Sequence, residues 1–439
     1  MKSWRWFSLF TVGAWLAAAC LPQGVRVPQS PMLRLLERKV GLIAYVGADG
    51  NIYTIDQAGN KQTALTNDAG EDSPRRYDFP TWSPDGQRVA FVGVDRTSGT
   101  PRSTLYTAKR DGENVVTAFT SETSTPFYLY WSPDNQHVSF LSGTSGGATL
   151  TLDLVPAAGG EARTLDVGNP FYWSWAPDSK SLLIHVNGAA QYDPGARLAM
   201  LTLEESVVED AFGVKPALFQ APEITPDGSR VLFAAEGQDG EPSLILSDRS
   251  GLDQKVLTTY EGTVAFALSP DGKRLAYIRT DQPRLGALGR MTIVDLSGEA
   301  EPIEIEAERV LAFFWAPDSE QVAFFVPTAI RPEQGSGTPS PEGQGGQDVQ
   351  IVLYLSVANA RSGEVREVAT FFPTDQFLNL LPYFDQYHRS ATIWSPDSNN
   401  LVLSAYDPEG NPGVWLAPSD GNLEPRFLTP GTLGFWSWK

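Results

Sequence analysis

The segment TWSPDGQRVAFV, at residues 81–92, decides the fold of this chain because closely similar segments recur along it. Six further copies read YWSPDNQHVSFL at 130–141, SWAPDSKSLLIH at 174–185, EITPDGSRVLFA at 223–234, ALSPDGKRLAYI at 267–278, FWAPDSEQVAFF at 314–325 and IWSPDSNNLVLS at 393–404. Successive copies are 49, 44, 49, 44, 47 and 79 residues apart, counted from Pro84, Pro133, Pro177, Pro226, Pro270, Pro317 and Pro396. A period in the mid-forties with several short strands is typical of one β-propeller blade.

Each copy combines a tight turn with a strand. In Ser-Pro-Asp-Gly, proline fixes φ at the second position, aspartate bonds to the local backbone, and glycine accepts a positive φ. Apolar residues alternate after the turn, as in Val89 and Phe91, which predicts a half-buried strand. Asparagine at the glycine position also tolerates a positive φ, whereas we expect the serines there, Ser179, Ser319 and Ser398, to adopt it less easily.

A second turn follows at a regular distance in most units. It carries Gly59, Gly112, Gly160, Gly251, Gly298, Gly363 and Gly421, and it predicts a hairpin between the two outer strands of a blade. The unit covering 171–222 is the least regular, and its second turn is not readable from the sequence.

The two ends of the repeat region complement each other. Residues 41–66 hold the later three strands of a unit without its first strand, and LGFWSWK at 433–439 resembles a first strand. Joining them would complete one blade from both termini and remove an exposed sheet edge. The expected fold is therefore all-β, a single propeller over residues 40–439.

The number of blades follows from the innermost strands. These lie near Trp82, Trp131, Trp175, Ile224, Leu268, Trp315, Trp394 and Trp438, which predicts eight four-stranded blades, with seven as the alternative. The widest gap between copies could hide a ninth blade. However, residues 327–349 are rich in Pro, Gly and Ser and are predicted to be a disordered insertion, and residues 372–390 are predicted to be a long loop.

The N-terminus has the features of an export signal. Lys2 and Arg5 precede an apolar run, and small residues lead into Cys20, the only cysteine of the chain. Residues 1–20 resemble a bacterial lipoprotein signal, which implies that Cys20 is lipidated and becomes the first residue of the mature protein. The alternative is an ordinary secretory signal with an incidental cysteine. Residues 21–39 are predicted to be a flexible tether to the extracytoplasmic side of a bacterial membrane.

The composition excludes several classes of partner and site. The formal net charge is −19 and the sequence pI is about 4.6, so the chain is not expected to bind the phosphates of nucleic acids. With one cysteine the fold holds no internal disulfide and no thiolate zinc site. No metal or other cofactor is predicted, and we expect a monomer.

The W-S-P-D-G copies, each followed by an alternating strand and a glycine turn, resemble the propeller repeat of TolB and of the N-terminal domains of prolyl-oligopeptidase-type enzymes. The resemblance covers residues 40–439. It implies the fold and not a function, because propellers host many unrelated activities. TolB carries a small α/β domain before its propeller, and residues 21–39 are too few to form one.

Candidate binding residues lie just before the inner strands, where the loops converge on the mouth of the central channel. Aromatic side chains mixed with a few charges are typical of binding sites. The candidates are Arg75, Arg76, Tyr77, Asp78, Tyr128, Tyr172, Glu223, Tyr383, Asp385, Tyr387 and His388. The alternative, favoured for residues that adjoin a strand such as Tyr130, Trp173 and Trp436, is that the aromatic residues simply pack between blades.

Signals for catalysis are weak, so no catalytic residue is predicted. Gly143–Gly147 matches the G-x-S-x-G nucleophile pattern, but it lies between two predicted strands, where the strand-to-helix turn that this pattern needs is not expected. We expect a lipid-anchored protein that binds an envelope protein or a small ligand, a glycan or a peptide, at the channel mouth. The alternatives are a carbohydrate- or peptide-processing enzyme that uses Tyr387 and His388, and a purely structural spacer.

Overall fold

The computed structural model describes residues 28–29, 39–144, 149–237, 239–280, 288–330 and 350–439. Several predictions concern the remaining residues: the signal peptide with Cys20, most of the tether, Ser145 of the G-x-S-x-G pattern, and residues 331–349 of the predicted insertion. These lie outside the described residues. Among the helices that are described, none is both long enough and apolar enough to cross a lipid bilayer.

Almost all regular structure in the described ranges is antiparallel β-sheet. The first three strands are β1 (Ile43–Gly47), β2 (Ile52–Ile55) and β3 (Thr63–Ala64). Five separate four-stranded sheets follow in chain order. Their strands are β4 (Arg75–Trp82), β5 (Arg88–Asp95), β6 (Arg102–Lys109) and β7 (Val116–Ser121); β8 (Ser124–Trp131), β9 (His137–Thr144), β10 (Leu150–Pro156) and β11 (Arg163–Gly168); β12 (Phe171–Trp175), β13 (Ser181–Val186), β14 (Arg197–Leu203) and β15 (Val207–Ala211); β16 (Glu223–Ile224), β17 (Arg230–Glu236), β18 (Pro242–Asp248) and β19 (Lys255–Thr259); and β20 (Val264–Leu268), β21 (Arg274–Arg279), β22 (Arg290–Asp295) and β23 (Ile303–Glu304).

The last seven strands and the first three form one ten-stranded sheet. The later strands are β24 (Ala312–Trp315), β25 (Gln321–Ile330), β26 (Gln350–Asn359), β27 (Val365–Pro373), β28 (Asn400–Tyr406), β29 (Pro412–Pro418) and β30 (Arg426–Trp436). β30 pairs with β29 through its first half and with β1 through its second half, where Trp436 lies opposite Ile43. The two ends of the described chain therefore meet in one sheet. Multiple four-stranded sheets of this kind are consistent with a β-propeller.

The repeated tryptophan joins neighbouring sheets. The indole Nε1 of Trp131 donates to the carbonyl oxygen of Thr81 at 3.0 Å, and Trp315 donates to Ala267 at the same distance. Trp82 and Trp394 make the equivalent bonds, to Phe435 and Phe314. A buried indole needs an acceptor for its N–H group. Trp82, Trp131 and Trp315 find theirs on a neighbouring sheet, and Trp394 finds its acceptor on β24 of the ten-stranded sheet.

The serines at the glycine position of the turn adopt the backbone conformation that serine disfavours. Ser179, Ser319 and Ser398 all adopt a positive φ, of 58°, 62° and 61°. In each case the hydroxyl oxygen accepts a hydrogen bond from the aspartate amide of the preceding turn, as from Asp318 to Ser398 at 3.1 Å. The backbone conformation that serine disfavours is thus offset by a hydrogen bond between neighbouring repeats.

Two predicted boundaries are wrong. Residues 375–387, predicted to be part of a long loop, are helical: α1 (Asp375–Leu380), a 3₁₀ turn (Leu381–Tyr383) and α2 (Phe384–Tyr387). Residues 327–330, assigned to the insertion, instead extend β25 and pair with residues 350–353 of β26. Thr328 and Ala329 there lie opposite the β-branched residues Val352 and Ile351, which favour strand pairing.

Candidate ligand site at the channel mouth

The channel segment, residues 374–391, lies where the first strands of several sheets converge. The side-chain amide of Gln386 donates from Nε2 to the carbonyl oxygen of Trp173 at 3.0 Å and accepts from the Trp173 amide at 3.2 Å. Tyr128 donates its hydroxyl to the carbonyl oxygen of Gln386 at 2.7 Å, and the ring of Phe384 packs on Phe313. Strands β8, β12 and β24 therefore hold this segment from different sides.

Local sequence explains why the segment is helical. Thr374 is the N-cap of α1, and its Oγ1 accepts from the amide of Phe377 at 3.4 Å. Phe377, Leu380, Leu381 and Phe384 are buried in the core of the molecule, and their spacing places them on one helical face.

A cavity of about 670 Å³ opens beside the channel segment. It is walled by aromatic and apolar side chains with several amides and one carboxylate. Its described lining residues are Asp78, Phe79, Phe127, Tyr128, Leu141, Leu150, Asn169, Pro170, Phe171, Tyr172, Gly188, Leu218, Phe219, Gln220, Thr263, Gln376, Asn379, Leu380, Tyr383, Gln386 and Tyr387. We call it the mouth cavity, because residues that begin or precede the inner strands form its walls.

Two β-bulges direct backbone and side chains toward this cavity. The register of β4 against β5 shifts between Asp78 and Thr81, and that of β8 against β9 shifts between Phe127 and Leu129. Within these bulges Phe79 has φ 54° and Tyr128 has φ 45°. Large aromatic residues rarely adopt a left-handed φ, which costs on the order of 1–3 kcal/mol per residue and is concentrated at functional sites.

Asp78 is the carboxylate of the mouth cavity. Its Oδ1 accepts from the amide of Phe79 at 2.8 Å and its Oδ2 accepts from Nε2 of Gln376 at 2.9 Å. Burial raises the pKa of Asp78 to about 6, and the two hydrogen bonds only partly oppose that rise. The group is therefore mainly ionised at neutral pH, although it lies partly inside the protein.

Tyrosine side chains form much of the wall. Tyr172, Tyr383 and Tyr387 all line the cavity, and Tyr387 packs edge-on against Tyr128 with ring centroids 4.8 Å apart. Burial raises the pKa of Tyr172 and of Tyr387 above the usual value, so both hydroxyl groups stay protonated and can donate hydrogen bonds.

A second cavity, of about 240 Å³, lies at the other end of the channel segment. Its lining includes Pro226 and Pro270, which belong to the Thr-Pro-Asp-Gly turn at 225–228 and the Ser-Pro-Asp-Gly turn at 269–272 that end two inner strands. Glu223, His388 and Arg389 also line it. We call it the turn-side cavity.

An ion cluster fixes the channel segment beside the turn-side cavity. Glu223 contacts Nε2 of His388 at 2.9 Å and Nη2 of Arg389 at 2.5 Å, and it accepts from the amide of Leu268 at 2.9 Å. Burial alone would raise the pKa of Glu223, but Arg389 and His388 outweigh it and the pKa is lowered. Burial lowers the pKa of His388 despite its glutamate partner. The cluster ties β16 to the channel segment.

Asp385 lies between these two regions and is fully buried. Its Oδ2 accepts from the amide of Ala221 at 3.1 Å, while its Oδ1 has no partner among the described residues. Burial, with a smaller contribution from nearby Glu223, raises the pKa of Asp385 to about 7.

Three members of the predicted cluster at residues 75–78 do not reach the mouth cavity. Arg75 is paired with Asp68 and with Asp95, the latter at 3.1 Å, and Tyr77 donates to Asp68 at 2.7 Å. Arg76 donates to backbone carbonyl oxygens of its own turn, including that of Ser73 at 3.1 Å. Of the predicted cluster at residues 75–78, the structure brings only Asp78 into the mouth cavity.

Six of the other predicted binding residues line one or the other of the two cavities. Tyr128, Tyr172, Tyr383 and Tyr387 line the mouth cavity, whereas Glu223 and His388 line the turn-side cavity. Sequence reasoning missed Gln376, Gln386 and Arg389, which position the channel segment or Asp78. The helical spacing of Phe377, Leu380, Leu381 and Phe384 is the signal that would have shown that this segment is ordered.

His185 holds two loops inside the protein. The two ring nitrogens of His185 lie 2.8 Å from the carbonyl oxygens of Gln220 and Gly188, inside the protein. Within the described ranges no group of three or more His, Cys, Asp or Glu side chains is arranged to hold a metal ion.

No protein-family model matches this chain, and no curated protein matches it in sequence. Solved structures that resemble it include TolB from Acinetobacter baumannii, with 13% identity and a TM-score of 0.36, covering 79% of this chain and 80% of that one. Oligogalacturonate lyase in complex with manganese is 16% identical with a TM-score of 0.48, covering 87% of this chain and 97% of that one. A eukaryotic initiation factor is 11% identical with a TM-score of 0.47, covering 90% of this chain and 98% of that one. Because these identities and TM-scores are low, the similarities transfer no activity, ligand or partner to this chain.

Proposed function

We propose that this chain is an extracytoplasmic binding protein, anchored by a lipid on Cys20, that holds a ligand in the mouth cavity and performs no catalysis. The observation that carries the proposal is the cavity itself. A volume of about 670 Å³, aromatic walls drawn from several sheets and a few polar groups match the usual composition of a ligand site. The left-handed φ of Phe79 and Tyr128, both in the cavity wall, supports the same conclusion.

A variant that fills the cavity tests the proposal. Asn379 lines the mouth cavity and is exposed, so Asn379→Trp would place a large ring in it without removing a buried contact. Asn422→Trp is the matched control, because Asn422 lies exposed on a distant turn. Each protein is incubated with an envelope extract, washed and denatured, and the released small molecules and peptides are identified by mass spectrometry.

We expect one compound or compound class to be released from the wild type and from Asn422→Trp, but not from Asn379→Trp. Release of the same compounds from all three proteins would show that the mouth cavity is not the site. If nothing is enriched on any of them, the spacer hypothesis is favoured instead.

The arrangement of Tyr387 and His388 bears on the enzyme alternative. The two side chains line different cavities, and Nε2 of His388 is committed to a hydrogen bond with Glu223 at 2.9 Å. A shared catalytic role for them is therefore not part of the proposal. Turnover of a glycan or peptide by the wild type that is abolished in a folded His388→Ala variant would overturn the non-catalytic proposal.

The lipid anchor is tested separately from the ligand site. Cys20→Ser removes the only thiol to which a lipid can be attached in this signal. We expect the wild type in the membrane fraction, with the mass of an acylated N-terminal cysteine, and the variant outside it. An unmodified wild-type thiol would support the ordinary secretory signal.

We further propose that the ring has eight blades. The five four-stranded sheets supply five blades, and the ten-stranded sheet divides naturally into β24–β27, the strands around β28 and β29, and the shared strands β30 and β1–β3. Trp394, which bridges to Leu401, supplies the first strand of the second of these groups. A cryo-electron microscopy or crystal structure viewed down the channel would count the blades directly.

A further inference from the structure

The charge of the mouth cavity is one-sided. Asp78 is the carboxylate in its wall, and none of the described lining residues is Lys, Arg or His. Both hydrogen-bond donors to Asp78, the amide of Phe79 and the side chain of Gln376, are neutral. No described cation forms an ion pair with this carboxylate, and the neighbouring guanidinium of Arg76 is directed at backbone carbonyl oxygens instead.

The walls around this charge favour a cation with an apolar body. Phe79, Phe127, Tyr172, Tyr383 and Tyr387 present aromatic side chains to the same cavity. Aromatic rings attract ammonium and guanidinium groups through their negative faces, and the attraction grows when water is excluded. An anionic ligand would meet an uncompensated carboxylate and the same ring faces, and both would repel it.

We propose that the mouth cavity binds organic cations, with an ammonium or guanidinium group beside Asp78 and an apolar or aromatic body against the tyrosine and phenylalanine wall. This inference rests on the proposed function and adds the chemical class of the ligand. The class includes amines and the side chains of basic peptides, whose apolar stems and charged ends fit the same description.

Three fluorescent probes of similar shape and different charge test the inference. They are 2-(1-naphthyl)ethylamine, 2-(1-naphthyl)ethanol and 1-naphthylacetate, titrated at pH 7.5 against residues 21–439. We expect the amine to bind about tenfold more tightly than the alcohol, and the acetate to bind most weakly.

Three variants assign the preference to Asp78. Asp78→Asn is expected to weaken binding of the amine about tenfold and to leave binding of the alcohol unchanged within about twofold. Asp78→Glu keeps the charge and is expected to retain the preference for the amine. Asp375→Asn is the matched control, since it removes the same charge from an exposed position on α1 and should change nothing. Near-ultraviolet circular dichroism checks that each variant is folded.

The outcomes separate this inference from the proposed function. Equal binding of the amine and the alcohol, tighter binding of the acetate, or an amine preference that survives Asp78→Asn would overturn the cation inference and leave the cavity as a ligand site. If no probe binds while Asn379→Trp still abolishes capture of a natural ligand, the inference fails and the proposed function stands. If no probe binds and no ligand is captured, both fail.

Discussion

Asp385 places a carboxyl group inside the channel with one hydrogen-bond donor, the amide of Ala221. Its pKa of about 7 lies well above the ordinary value of 3.8, because burial favours the neutral form. The native protein therefore keeps this proton to higher pH than the unfolded chain does. The contribution of this group to the free energy of unfolding is therefore greatest below about pH 4, and it is lost as the pH rises through about 7.

Asp385→Asn tests this linkage. The amide cannot ionise, so at pH 8 the variant should be more stable than the wild type, by on the order of 2–4 kcal/mol. The difference should shrink as the pH falls to 4, where the wild-type carboxyl group is protonated in the native state and close to its pKa of 3.8 in the unfolded chain. Urea denaturation at pH 8, 6 and 4 measures it, with exposed Asp375→Asn as the control. A difference that does not change with pH would contradict the assignment.

Glu223 differs from Asp385 because its charged form is the stable one and neutralises the buried guanidinium of Arg389. Glu223→Gln would leave the guanidinium of Arg389 buried without a charged partner, although it still bonds to the neutral hydroxyl groups of Ser174, at 3.0 Å, and Tyr130. Breaking a buried ion pair from one side costs about 3–5 kcal/mol, and we expect a loss of that order in urea denaturation. The exposed Glu241→Gln should be neutral. A loss below about 0.5 kcal/mol for Glu223→Gln would show that the cluster does not hold the channel segment.

At the scale of elements, the turns and strands could be predicted because their signals are local. Proline, aspartate and glycine specify a turn within four residues, and the alternation of apolar residues specifies the strand that follows. The channel segment was missed although Phe377, Leu380, Leu381 and Phe384 have helical spacing. Pro382 is compatible with this helical segment because it stands at the start of the 3₁₀ turn, where proline leaves no hydrogen bond unmade.

The contacts that build the candidate site could not be predicted in the same way. Gln386 bonds to Trp173, which is 213 residues away in sequence, and Asp78 bonds to Gln376, which is 298 residues away. Such pairs form only because the fold brings together sheets that are far apart in sequence. No local sequence pattern indicates which distant residues will meet. Sequence reasoning placed Asp78, Tyr128 and Tyr172 just before inner strands, whereas they lie within β4, β8 and β12. It also could not show that Arg75 pairs with Asp68.

The interlocked turns give a prediction at this scale. Ser398→Ala removes the hydrogen bond to the amide of Asp318 and keeps a β-carbon at φ 61°, so it should cost about 1–2 kcal/mol of unfolding free energy. Ser398→Gly loses the same bond and relieves the backbone, so it should cost about 1 kcal/mol less than the alanine variant. Chemical denaturation of the two variants side by side gives the order. If the glycine variant is the less stable one, backbone strain at this position is not relieved by glycine.

For the whole molecule, the pairing of β30 with β1 joins the two ends of the described chain. Leu433, Phe435 and Trp436 are buried in this pairing, opposite the equally buried strand β1. Without it, β1 would present an unpaired edge and an apolar face to water. The order of strands in the ten-stranded sheet thus makes the C-terminal residues part of the fold and not an appendage.

Deleting residues 433–439 from a chain that begins at Lys39 tests this closure. The loss of two large buried aromatic side chains alone costs several kcal/mol, so we expect about 5 kcal/mol or more of lost stability and a tendency to associate through the open edge. The control is a circular permutant that links Lys439 to Lys39 through a short Gly-Ser linker and opens the chain between Ser98 and Gly99, in an exposed turn. The permutant keeps every strand pair, so it should unfold near the wild-type urea concentration and elute as a single species from size-exclusion chromatography. A truncated protein as stable as the permutant would show that the ring does not depend on the shared sheet.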